Sequence, residues 1–187
     1  MSILKDIVTT LRGGINVAQY GDVVRARKTL AAAGDYAVED VFSESATDGL
    51  GTAWRFDNVA RTPGGIFSVT QAGVLCSTTG LTPIIVLYLF TRTPTSELDD
   101  NAANTAVVAA DVPFYVGHIE FPAMSDLGGH SEALAMLDTG SNLPLEGKCA
   151  SKSTSLYGIA VTKDAIAGEA AGMTLSFALF VHQGLGG

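Results

Sequence analysis

Apolar and polar residues alternate with a period of two along most of the chain. In Met173-Thr174-Leu175-Ser176-Phe177-Ala178-Leu179-Phe180-Val181, the side chains of Met173, Leu175, Phe177, Leu179 and Val181 share one face, as a strand buried on one side requires. The same alternation predicts strands over Ala37–Ser43, Ala53–Val59, Ile66–Cys76, Phe114–Phe121, Glu132–Leu137, Lys148–Lys152 and Ser155–Thr162. Ile84–Phe90 is apolar at every position, the pattern of a strand covered on both faces. Turn formers stand between these runs: Asp48-Gly49, Pro63-Gly64-Gly65, Thr79-Gly80, Gly128-Gly129, Thr139-Gly140 and Glu146-Gly147. Many short strands with regular turns predict an all-β fold, an antiparallel β-sandwich. Ser96 to Ala110 is the one stretch that could form a second helix, although Asn101–Asn104 weakens it.

The first 28 residues differ. Ile3, Leu4, Ile7, Val8 and Leu11 fall on one face of a helix, with Lys5, Asp6, Thr9 and Arg12 opposite. Ser2 can cap its start, and Gly13-Gly14 ends it. A helix this short is marginal alone, so its apolar stripe has to dock, on its own domain or on a neighbour. The organisation expected is an N-terminal arm with a short helix (1–28) followed by a sandwich domain (29–187).

Composition sharpens this division. Residues 1–28 carry five basic and two acidic groups, a net of +3, while the rest carries six against seventeen, −11, together the chain's −8. An acidic body disfavours nucleic acid, whose binding rests on neutralising phosphates. Only 16% of the 187 residues are charged and the mean hydropathy is +0.31, which is apolar for a soluble chain. No apolar run approaches the ~20 residues of a membrane helix, and Met1-Ser2-Ile3-Leu4-Lys5-Asp6 does not read as a signal peptide. We therefore expect much of the outer surface to lie against other subunits. Cys76 and Cys149 stand singly among strand residues and are expected to be free thiols; their spacing excludes a C-x-x-C site.

Candidate chemistry is sparse. Asp138-Thr139-Gly140-Ser141 matches the loop that carries the carboxylate of an aspartic protease. Such enzymes need two carboxylates sharing a proton. Here there is one loop, only 49 residues follow it, and Asp138, Gly140 and Asn142 serve as turn formers. His118, His130 and His182 have no metal-ligand spacing. His118 is expected to be a partly buried, hydrogen-bonded strand residue. Glu97, Asp99 and Asp100 with Asn101 and Asn104 offer oxygens for calcium but lack the Gly and distal Glu of an EF-hand loop. Trp54 and Phe56 could stack a sugar or pack a core. Neither a G-x-S-x-G elbow nor a phosphate loop is present. No catalytic residue, metal or cofactor is expected.

The segments "GDYAVEDVFS", "PGGIFSVTQAGVLC", "IVLYLFTRTPTSELDDNAA", "YVGHIEF", "STSLYGIAVT" and "TLSFALFVHQ" resemble, in their order, the jelly-roll virion proteins of tailed phages, the class of decoration and auxiliary head proteins. The resemblance spans about residues 34–183. It implies a jelly-roll sandwich, synthesis in the host cytoplasm and a place on the phage head surface. It also implies the major capsid protein as partner and a homo-oligomer, such as a trimer at a local symmetry axis. On this reading the protein is no enzyme but a decoration protein that stabilises the capsid by bridging its subunits. Ile3, Leu4, Ile7, Val8 and Leu11 would dock, and Arg12, Arg25, Arg27 and Lys28 would steer toward an acidic shell. The alternative is a receptor- or glycan-binding head of a fibre or tail, with an exposed aromatic platform around Trp54.

Overall fold

The computed structural model describes residues 20–31, 34–78, 82–137, 140–167 and 172–184. These form two antiparallel sheets. The strands are β1 (Tyr20–Thr29), β2 (Val41–Phe42), β3 (Trp54–Phe56), β4 (Ile66–Cys76), β5 (Ile85–Phe90), β6 (Tyr115–Glu120), β7 (Ser125–Asp126), β8 (Ser131–Ala135), β9 (Leu145–Lys148), β10 (Leu156–Thr162) and β11 (Thr174–Gln183). One sheet runs β1-β11-β4-β8-β7 with β9 also on β4; the other runs β2-β10-β5-β6 with β3 on β10. Among the described residues there is no α-helix, only a 3-10 turn at Val112–Phe114.

The sheets share one core. Phe177 on β11 lies edge-on to Trp54, ring centroids 4.8 Å apart, and 5.7 Å from Phe121. The apolar face read from the last strand is the buried one: Met173, Leu175, Phe177, Leu179 and Val181 are all inside, each such burial contributing about 1.5–3 kcal/mol. In β4 the buried apolar side chains are Phe67 and Val69, then Ala72, Val74 and Cys76. The change of parity is a bulge at Thr70, because Phe180 pairs with Gln71 and Val181 with Val69.

Strands β5 and β10 are buried on both faces for a reason the alternation does not contain. The segment from Thr91 to Phe114 folds back over the outer face of their sheet. Leu98, Ala106, Val107 and Tyr115 pack on Val41, Phe90, Ile159 and Val161.

Several expectations are corrected. Ser96–Ala110 is this covering loop and not a helix. Its conformation is set by Asp111, which accepts the N–H groups of Thr95 and Ser96 at 2.8 Å and their hydroxyls at 3.0 and 2.7 Å. The strand expected at Lys148–Lys152 is Leu145–Lys148; beyond it the chain turns, with Ser153 N–H bonded to Ala150 O. The division at residue 28 also moves. Tyr20–Thr29 is a full strand on β11, with Val24 and Ala26 in the core and Arg25 and Arg27 exposed. The helix expected over the first residues lies outside the described residues.

Cys76 and Cys149 are both buried thiols. Cys76 ends β4, whereas the Cys149 N–H bonds Gly65 at the strand's other end. Ten residues of strand put about 33 Å between those ends, far beyond disulfide reach. Burial pushes the Cys149 thiol up to about 11.

Candidate interaction site

Of the residues expected to contact a partner, Ile3, Leu4, Ile7, Val8, Leu11 and Arg12 lie outside the described residues. The structure brings Arg25, Arg27 and Lys28 together on β1. Arg25 and Arg27 point to solvent, whereas Lys28 turns inward. Its ammonium pairs with Glu44 Oε2 at 2.5 Å and donates to the Thr52 hydroxyl at 3.1 Å and to the Thr52 carbonyl. It also sits 5.2 Å from the Trp54 ring centroid, a cation–π arrangement. With Arg55 on β3 these residues line a groove of about 480 Å³.

Behind the groove lies a buried polar network. Asp100 accepts the Tyr36 hydroxyl at 2.9 Å and the Ser43 N–H at 2.6 Å. Burial pushes its carboxyl up to about 6, against those two hydrogen bonds. Burial also pushes Glu44 upward, but hydrogen bonds from Lys28, Thr52 and its own backbone outweigh it and hold Glu44 at about 2. Lys28 is lowered by burial, with Glu44 opposing.

These shifts predict an acid-shifted stability optimum. Asp100 binds its proton more tightly folded, at about 6 against an ordinary 3.8. Its contribution is complete below 3.8 and lost as pH rises through about 6, at most about 3 kcal/mol. Glu44 has the opposite sign, stabilising above 4.5 and losing that as pH falls toward 2. The thermal midpoint should therefore rise from pH 7.5 to 5 and fall again below 4. Asp100→Asn should flatten the neutral side while leaving the acid fall. A wild-type midpoint that does not change between pH 7.5 and 5 would contradict this assignment.

Trp54 offers no sugar platform. It is 1% exposed and its Nε1 donates to the Phe42 carbonyl at 3.0 Å, so the aromatic surface required by the glycan-binding alternative is core. The acidic cluster is likewise turned to the backbone: Asp99 accepts the N–H groups of Gly49 and Gly51 at 2.7 and 2.6 Å. The loop passes so close to Gly51 that a Cβ there would collide with the Leu98 carbonyl. His118 is half-buried between the Tyr115 hydroxyl (2.9 Å to Nδ1) and the Asn142 amide (2.8 Å to Nε2). Among the described residues, no group of three or more His, Cys, Asp or Glu could hold a metal. Asp138 and Thr139 lie outside the described residues; beside them Gly140 and Asn142 have positive φ and Ser141 Oγ donates to Met136 O at 2.7 Å, as a turn requires.

Pairing brings together one set of residues that the linear sequence hid: His182, Ser68 and Glu146 occupy adjacent strands in one row. Ser68 stands in the middle. A serine nucleophile needs histidine between itself and the carboxylate, so this row has the wrong order for such a relay.

Among the described residues, no loop covers the outer face of the six-stranded sheet. Its central rows read Arg25-Ala178-Gly73-Leu134 and Arg27-Ser176-Leu75-Glu132 across β1, β11, β4 and β8. Leu75 and Leu134 are 40% and 39% exposed, and Met136 and Leu137 extend the apolar strip past β8. Small residues in the centre keep this surface low, and Leu134 lies over Gly73. The signal was apolar residues at both phases, Leu75 between Val74 and Cys76, and Leu134 between Ala133 and Ala135. No family model and no curated protein matches the chain.

Proposed function

We propose that this chain is a jelly-roll structural protein of a tailed-phage virion that binds the outer surface of the head and reinforces it by bridging subunits of the major capsid protein. The observation carrying this reading is the contrast between the two sheets. One is covered by its own loop, while the other presents exposed leucines around a low, small-residue centre. Such a surface favours adhesion by area. The low charge of the chain and the order of its strand segments support the same role, and assembly as a homo-oligomer on the head would multiply modest contacts.

Leu75→Lys/Leu134→Lys tests it, since both side chains are exposed and the fold should persist. Burying two leucines contributes about 1.5–3 kcal/mol each, so co-sedimentation with heads of the encoding phage should weaken at least tenfold. Undiminished binding by the folded double variant would refute the role of this face. The part played by the first residues has to be tested by removing 1–19. Removing 1–28 would take Val24 and Ala26 out of the core and strip β11 of a partner.

A further inference from the structure

We propose that the edge of β1 that no described strand pairs accepts an extended, acid-rich segment of a partner protein as an added strand. The register fixes which groups are on offer. Leu30 N donates to Met173 O at 2.7 Å, so even positions of β1 bond β11. Val23, Arg25, Arg27 and Thr29 consequently direct their N–H and C=O groups away from the sheet.

The chain closes this edge at both ends. Val23 N–H goes to Asp22 Oδ1 at 2.7 Å, and its carbonyl takes Arg25 Nη1 at 3.4 Å. Further along, Ala31 N–H goes to Ser43 O at 3.1 Å. Between these closures the backbone of Arg25 and Arg27 faces the groove of about 480 Å³. An added strand of about five residues spans the opening at ~3.3 Å per residue.

Charge selects the occupant. Four cations line the groove (Arg25, Arg27, Lys28 and Arg55) against Glu44 alone, and Glu44 is already paired with Lys28. Edge strands are blunted by Pro, bulges, short length or charged side chains. β1 has ten residues, no Pro and an unbroken register, so Arg25, Arg27 and Lys28 blunt it by charge, which repels like-charged strands and not an acidic one. A second copy of β1 would bring arginines against arginines, which cross-strand pairing penalises. A strand with carboxylates at alternate positions turns the same side chains into opposite-charge pairs, while its backbone supplies affinity by β-augmentation. That the strand comes from a capsid subunit rests on the proposed function; its chemistry does not.

The test uses the full chain and a capped heptapeptide of alternating valine and glutamate, followed by titration calorimetry and amide hydrogen exchange. The peptide should bind saturably and slow exchange at the Arg25 and Arg27 amides. Methylating all its backbone amides should weaken it at least tenfold, as should Arg25→Glu/Arg27→Glu in the protein. Equal binding of the methylated peptide overturns strand addition. So do no binding at millimolar peptide, Arg25 and Arg27 amides already protected in the free protein, and an oligothymidylate binding where the peptide does not. Failure here with head co-sedimentation intact sinks only this inference; peptide binding with co-sedimentation absent sinks only the proposed function.

Discussion

Trp54→Ala should lower the unfolding free energy by about 3–5 kcal/mol, the range for emptying a large aromatic site in a core. Three losses coincide there. The indole is 1% exposed and edge-on to Phe177 at 4.8 Å, so its removal opens a cavity between the sheets. Its N–H donates to the Phe42 carbonyl, and that buried hydrogen bond is lost. Lys28 loses the ring beneath its ammonium. Trp54→Phe separates the terms: most of the area stays while the donor to Phe42 goes, so about 0.5–1.5 kcal/mol should be lost. Chemical denaturation of both variants is the check. A cost below about 1 kcal/mol for alanine would mean that Trp54 does not hold the two sheets together.

Asp111→Ala should cost about 3 kcal/mol or more and, before global unfolding, release the loop over the five-stranded sheet. The carboxylate accepts two backbone N–H groups and two hydroxyls from Thr95 and Ser96, and bonds to a charged acceptor contribute about 1.5–3 kcal/mol each, not additively. Burial pushes its carboxyl up, but these hydrogen bonds prevail and hold it below the ordinary range. Its stabilisation is therefore present at neutral pH and lost on acidification. With the anchor gone, the cover over Val41, Phe90, Ile159 and Val161 loosens. Hydrogen exchange should accelerate at Val41 and Asn101, whose N–H groups bond Ala102 O and Val41 O, and protease should cut within residues 97–110. Unchanged exchange at both amides would show that the loop is held by its apolar contacts alone.

Legibility in the sequence followed the range of the interaction. β4 and β11 could be read because alternation is a local property of a half-buried strand. The doubly apolar run at Ile84–Phe90 was legible as covered, but its cover, a loop pinned through Asp111, was not. The small residues around Ala102–Ala110 read as helix because propensity is local, whereas Asp99 and Asp111 bind partners that fix a different path. Counted by charge, Arg25, Arg27 and Lys28 fall in with the basic residues of the N-terminal arm, which hides β1. The alternation of Val24 and Ala26 with Arg25 and Arg27 was the better signal. The Asp100–Tyr36 bond joins residues 64 positions apart and leaves no mark in the local pattern. The uncovered sheet face did leave one, in Leu75 and Leu134 at the phase that should have been polar.

On the proposed function, this sheet face lies against companion proteins when the molecule does its work. Hydroxyl-radical footprinting of the full chain, free and bound to intact heads, tests it most directly. Oxidation of Leu75, Leu134 and Met136 should fall on binding. Leu50 and Val112, exposed elsewhere at 62% and 60%, should react as before. Equal oxidation of Leu75 and Leu134 in the free and bound states would contradict it.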